Sequence, residues 1–348
     1  MAKKLPIPSV TKVLLFSGAG LSYPLGLPMT NGFNDIIGSG DEELLKVLSS
    51  QLGPKIEDIE AILNSIDDLN SRNNLIYKYI SINANQHSNT YWSYTRTSID
   101  ALKNKSQSYL THLKKSIHNE LITPDTLQCE SLYFNILNEI KTTISNAAIS
   151  FFTANYDLTF EDSIGDNEKL QADLQINEID YGFSLRNGSF IFDPTKEYNW
   201  KPSILEYKKI HGSLGWIYDS RNRITKSHAG NTPDDPDSVP ILYPGFKGFP
   251  DNEPFLSLHR QFLQRLIDAD YAIFMGFAFR DPYINSLVDM ALAINKSLNI
   301  FCYNPSEVDK LPLESHILQL RRSKKFRYIQ TAIEIVDNPL KLAGQLKK

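Results

Sequence analysis

β-rich runs recur at wide intervals along the chain: VLLFS at 13–17, AISFFT at 148–153, ILEYKKI at 204–210, VPILY at 239–243, YAIFMG at 271–276, LNIFCY at 298–303 and the segment 326–336. Several are almost continuously apolar, as expected of strands buried on both faces of a parallel sheet. Between some of them the apolar period changes to that of a helix. FLSLHRQFLQRLIDA places Phe255, Leu258, Phe262, Leu266 and Ala269 on one face, and INSLVDMALAI does the same with Ile284, Leu287, Val288, Ala291 and Leu292. This alternation predicts an α/β fold, a Rossmann-like doubly wound and mainly parallel sheet.

The first run and the second are separated by about 130 residues, far more than one crossover helix needs. IEDIEAILNSIDDL repeats isoleucine or leucine at 56, 59, 62, 63, 66 and 69, and SIDALKNKSQSYLTHLKKSI and SLYFNILNEIKTTI share that helical spacing. A single domain over 1–348 is therefore expected, carrying a large helical insertion over 35–145 after the first strand, with SINANQHSNTYWSYTRTS as its loosest part. Further on, IDYGFS and SFIFD predict two short strands joined by a turn at LRNG, and SHAGNTPDDPDSVP predicts a surface loop.

Composition narrows the class. With 348 residues, 41% hydrophobic and 22% charged, the chain has the make-up of an ordinary globular protein. A net charge of −4 gives no strong field toward nucleic acid or an anionic membrane, so any nucleic-acid contact is expected to be indirect or weak. The basic cluster RRSKKFR at 321–327 is expected to be a solvated helix end. No apolar stretch approaches the roughly 18 residues of a membrane span. Cys129 and Cys302, far apart, point to free thiols in a reducing cytoplasm and cannot build a four-thiolate zinc site.

Candidate chemistry lies where strands end. After the first run, Gly18, Ala19, Gly20 and Ser22 offer a glycine-rich turn that could cradle a phosphate or serve as a structural tight turn. It is not a Walker A loop, since no Gly-Lys-Ser/Thr follows, and Tyr23 stands where the dehydrogenase fingerprint needs its third glycine. After the second run come Thr153, Asn155 and Asp157, either lining a crevice or forming a turn and cap. His211, followed by Gly212 and Ser213, is a candidate base at a strand end. Two later runs end in Gly276 and Phe277, and in Asn304.

The ordered set GAGLS (18–22), TANYD (153–157), IHGS (210–213), MGFAF (275–279) and CYNP (302–305), with GLP at 26–28, resembles the sirtuin family. That resemblance implies NAD⁺ as substrate. Asn155 and His211 would be catalytic, the first positioning water at the nicotinamide ribose and the second acting as general base. Gly18, Ala19, Gly20 and Ser22 would hold the pyrophosphate. Thr153, Asp157, Gly212, Ser213, Gly276, Phe277 and Asn304 would line the remainder of the nucleotide site.

The departures are specific. The zinc module of sirtuin deacylases is missing, no arginine follows GLP, and Tyr156 with LTFED replaces the residues that flank the family's Asn and Asp. The chain is in this respect similar to the zinc-less sirtuin-like domains of bacterial anti-phage systems, which hydrolyse NAD⁺. The resemblance implies an NAD⁺ glycohydrolase without a metal, cytoplasmic, restrained by homo-oligomerisation or by a separate partner such as a HerA-type ATPase or another defence protein. A sirtuin-type deacylase or ADP-ribosyltransferase, and a non-catalytic NAD-sensing module, are the alternatives.

Overall fold

The computed structural model describes residues 9–29, 37, 42–53, 59–86, 90–121, 125–196, 198–226, 239–242, 250, 252–307, 316–331 and 340–346. Seven strands, β1 (Thr11–Ser17), β2 (Ala147–Thr153), β3 (Glu178–Asp180), β6 (Ile204–Lys209), β9 (Tyr271–Met275), β10 (Asn299–Asn304) and β11 (Phe326–Gln330), form one sheet in the order β11-β10-β9-β1-β2-β6-β3. All six neighbouring pairs are parallel. The remaining strands, β4 (Phe183–Arg186), β5 (Ser189–Phe192), β7 (Trp216–Tyr218) and β8 (Ile224–Lys226), make a small antiparallel sheet in the order β4-β5-β8-β7.

The central strand shows why the apolar run is unbroken. Val13 and Leu15 enter one core with Leu132, Ile136 and Ile140 of helix Thr126–Thr143. Leu14 and Phe16 enter the opposite core with Leu258, Phe262 and Leu266 of helix Phe255–Asp268 and Ile284, Leu287 and Val288 of helix Pro282–Ile294. Each such side chain gains about 1.5–3 kcal/mol from leaving water. Both faces of the sheet are thus covered, and the fold is α/β and doubly wound, as the run pattern predicts.

Chain order fixes where a ligand crevice falls. From β1 the chain proceeds to β2 on one side. After β6 it crosses back to β9 on the other side of β1 and continues outward to β10 and β11. The carboxyl ends of β1 and β9 therefore flank the topological switch point.

Between β1 and β2 stand helices Glu42–Leu52, Ile59–Gln86, Thr90–Glu120 and Thr126–Thr143. The last belongs to the sheet's own core, whereas the first three build a separate one around Leu48, Ile62, Ile66, Leu113 and Ile117. That second core meets the sheet through Leu214 and the half-buried Tyr156, Leu158 and Ile241. The stretch expected to be loosest is instead helical through Gln86 and again from Thr90. It is polar, but it contains neither glycine nor proline, and polar residues alone do not break a helix.

Other details depart from the sequence reading. VPILY forms no strand within 239–242. Ile241 makes only an isolated bridge to Gly212, since Pro240 has no N–H for a ladder. Tyr243 lies outside the described residues, as do 227–238 of the expected surface loop and 332–336 of the last run. The LRNG turn joins β4 to β5 with Asn187 and Gly188 at φ 51° and 79°, the left-handed pair that a two-residue hairpin needs. The basic cluster begins in an exposed turn after helix His316–Leu320.

Candidate functional site

All five sequence motifs end at the carboxyl edge of the parallel sheet, on β1, β2, β6, β9 and β10. The glycines after β1 are explained first by packing. The Gly18 N–H donates to the Met275 carbonyl (3.1 Å), and the Gly20 N–H to the Gly276 carbonyl (3.0 Å). A Cβ on Gly20 would lie 2.8 Å from Gly276 Cα, and one on Gly276, whose φ is 59°, would run into the backbone of Gly20 and Leu21. The β1 and β9 loops thus lie backbone on backbone across the switch point.

Around Asn155 the side chains form a continuous hydrogen-bonded chain. Its Nδ2 donates to the Gly18 carbonyl (3.2 Å) and to Ser22 Oγ (3.0 Å). Ser22 donates in turn to Asp157 Oδ2 (2.9 Å). Thr159 gives the other oxygen of Asp157 its N–H (3.2 Å) and its hydroxyl (2.5 Å), and Tyr133 lies 2.7 Å behind the Thr159 hydroxyl. Asp157 is therefore a buried anchor that fixes Ser22 and, through it, Asn155. Thr153 is turned inward as well, accepting from Ser17 Oγ (2.8 Å) and from the Asn155 N–H (3.1 Å).

His211 stands one strand over, just past the end of β6. Its Nε2 lies 3.3 Å from Asp281 Oδ2, and the ring is 2% exposed. Because a carboxylate only accepts, Nε2 carries a hydrogen, while Nδ1 is buried and meets no hydrogen-bond partner among the described residues. Asp281 is itself held by helix Pro282–Ile294, whose Tyr283 and Ile284 N–H groups bond to its Oδ1 at 2.8 and 3.1 Å. Burial pushes the Asp281 carboxyl up, but the His211 hydrogen bond and charge and these two N–H groups outweigh it, and the group titrates below the usual range.

A second histidine, His259, packs 5.8 Å from His211 ring to ring. Its Nδ1 bonds to the Phe255 carbonyl (2.8 Å), and burial, with His211 beside it, lowers it to about 4. It is therefore neutral at pH 7. The loop that delivers Asp281 is pinned too: Phe279 adopts φ 54°, a left-handed conformation costly for a bulky residue, and Asn285 Nδ2 holds its carbonyl at 2.9 Å.

The other expected site residues fall into two groups. Ala19 and Gly276 are half-buried at the crevice edge. Phe277 packs inward on Phe16 at 4.8 Å, Ser213 is fully buried against Lys209 Nζ (3.2 Å), and Asn304 accepts from the Ser306 N–H (2.9 Å). Gly212 at φ 98° lets the chain pass Pro240. Asp281 and Lys209 are the residues that sequence reading missed. Lys209 pairs with Glu161 (3.0 Å) and also donates to Ser213 and to the Tyr156 and Asp157 carbonyls, tying the β2 loop to the β6 loop. Among the described residues no group of three or more His, Cys, Asp or Glu is arranged to hold a metal.

A doubly wound sheet with polar loops gathered at its switch point defines a ligand-binding α/β protein of Rossmann-like architecture. The chain belongs to the SIR2-like family, whose domain model matches residues 149–329. Among solved structures it is similar to a Sir2 homologue in complex with 2′-O-acetyl ADP ribose (12% identity, 97% of this chain and 92% of that one, TM-score 0.42). It is also similar to a Sir2 homologue in complex with NAD (13% identity, 97% and 89%, TM-score 0.41) and to Sir2Tm bound to a propionylated peptide (10% identity, 96% and 91%, TM-score 0.43). No curated protein matches the sequence.

Proposed function

We propose that the chain cleaves the bond between nicotinamide and ribose in NAD⁺, with water as acceptor. The observation that carries this reading is the pairing, on adjacent strands β2 and β6, of a braced neutral amide, Asn155, with an imidazole, His211, held by a carboxylate. Nicotinamide leaves as a neutral molecule from a cationic substrate. The site then has mainly to orient it, stabilise an oxocarbenium-like ribose and supply water.

In this scheme Asn155 offers its amide oxygen to the water or ribose hydroxyl, because Nδ2 is engaged. His211 removes the proton, and Asp281 stabilises the imidazolium that results. The products are nicotinamide, ADP-ribose and one proton. Gly18, Ala19, Gly20 and Ser22 are assigned to the pyrophosphate side, with Gly276, Phe277 and Asn304 on the nucleotide's flank. Thr153, Asp157, Gly212 and Ser213 shape the loops around it.

As part of the same proposal, the protein is a cytoplasmic NAD-depleting effector of bacterial anti-phage defence, one domain with its helical insertion serving as a contact surface. Val47, Leu75 and Ile76 are 42%, 71% and 47% exposed on the insertion helices, apolar groups that a second copy or a separate partner would cover. Among the described residues no helix is long and apolar enough to cross a membrane.

The test is incubation of the purified chain with NAD⁺, alone and with candidate partners, and identification of products by chromatography. Free nicotinamide and ADP-ribose are expected, and Asn155→Ala or His211→Ala should abolish them. Release at the wild-type rate in both variants sinks the assignment, while an O-acyl-ADP-ribose or an ADP-ribosylated macromolecule would move it to transfer chemistry.

A further inference from the structure

A cavity lies beside the loops that carry Asn155 and His211, between the antiparallel sheet and the chain after β2. Its volume is about 350 Å³. Phe183, Phe190 and Trp216 wall it from the small sheet, Tyr181 and Ile179 face them, and Glu161 lines it with Asp162, Asp166 and Glu178. The cavity therefore combines aromatic surface with four carboxylates and two lysines, Lys196, which lies 3.9 Å from Glu178, and Lys226.

Two observations say what chemistry it favours. The Glu161 side chain is 8% exposed; one oxygen pairs with Lys209, and Oε2 is buried with no hydrogen-bond partner among the described residues. An orphan carboxylate oxygen on a residue that lines a cavity calls for a donor. The second is Lys226, which reaches in from β8 and sets its ammonium 3.2 Å from the centre of the Tyr181 ring. Burial lowers the basicity of that lysine, and the charge of Glu161 acts against the loss. The chain's own ammonium thus rests on the aromatic wall without forming an ion pair to Glu161, whose Oε2 stays unmet.

We propose that this cavity is a binding site for a small organic primary ammonium, with the ammonium on Glu161 Oε2, the apolar body against Phe183, Phe190 and Trp216, and Lys226 as a tethered competitor. The site does not depend on the reading of His211 and Asn155. It does adjoin both, because Leu158, Ser213 and Gly215 also line the cavity and belong to the loops that carry them. A bound amine would press on the ends of β2 and β6 together.

The probe is 2-phenylethylammonium at pH 7, titrated calorimetrically into the full chain with Trp216 fluorescence as a second signal, and 2-phenylethanol as the uncharged isostere. Saturable binding of the amine is expected, at least tenfold tighter than the alcohol. Glu161→Gln should weaken it at least tenfold, and Lys226→Met, which vacates the Tyr181 face, should tighten it. Because Glu161 also serves Lys209, Phe190→Ala at the half-open rim provides the variant that leaves the ion pair intact, and it should weaken binding severalfold. Equal affinity for amine and alcohol, no saturable binding by either, or affinity unchanged in Phe190→Ala and Lys226→Met overturns the proposal.

Discussion

Asp281 has two tasks at the residue scale: it caps a helix with one oxygen and orients His211 with the other. Replacing it by asparagine preserves much of the cap, since Asn is as good an N-cap as Asp. The negative charge beside the imidazole is lost. Asp281→Asn is therefore expected to lower kcat for NAD⁺ cleavage about 10- to 100-fold with little change in KM, and to shift the His211 hydrogen from Nε2, visible in imidazole nitrogen NMR. An unchanged kcat with an unchanged tautomer would reduce Asp281 to a cap.

His259 makes a pH-dependent contribution with a definite sign. Its folded value of about 4 lies below its unfolded one near 6.5, so the stability it represents is present above pH 6.5 and lost as pH falls toward 4. Between pH 7 and pH 5 the loss is on the order of 2 kcal/mol. Urea unfolding of wild type at the two pH values, against His259→Phe, should show that part of the slope vanish in the variant. At Gly276 the constraint is steric. Ala at φ 59° would collide with the backbone of Gly20 and Leu21, and Gly276→Ala should cost about 2 kcal/mol or more in the same assay.

Among the elements, β6 is unusual, since Glu206, Lys208 and Lys209 are all buried in a six-residue strand. Each has a partner: Glu206 meets Arg265 (2.8 Å), Lys208 meets Asp180 (3.2 Å) and Lys209 meets Glu161. Removing Lys209 alone strands a buried carboxylate, so Lys209→Met should destabilise by about 3–5 kcal/mol. Adding Glu161→Gln should return part of that, a coupling of about 1–3 kcal/mol in a double-mutant cycle. Strict additivity would show that the two do not act as a pair.

This strand also marks where the sequence was and was not legible. The apolar runs of β1, β2, β9 and β10 announce themselves because both faces are buried, and glycine or asparagine punctuates their ends. ILEYKKI reads as one of the β-rich runs, but nothing in one sequence tells a buried, paired lysine from a solvated one. Asp281 was hidden for a related reason: Asp-Pro before a helical pattern reads as an ordinary helix start, and its second bond, to a residue 70 positions away, is visible only in three dimensions. The three-residue strands β7 and β8 are too short to show a period.

For the whole molecule, the insertion between β1 and β2 has a consequence in time. Each residue of β1 pairs with a β2 residue 136 positions further along, as in Thr11 with Ala147 and Ser17 with Thr153. The helices between them make mostly local contacts and can form early, whereas the centre of the sheet must wait for closure of a very long loop. Refolding followed by far-UV circular dichroism and by amide exchange should show the insertion helices protected before β1. Simultaneous protection would mean that the two regions fold as one cooperative unit. On the ribosome the order is harsher still. β1 leaves the exit tunnel 136 residues ahead of its partner and has no strand beside it until β2 emerges, many seconds later at about 5–20 residues per second. The four side chains Val13 to Phe16, each 0% exposed in the finished protein, are thus exposed for longer during synthesis than those of the other strands, and are the natural hold for a chaperone.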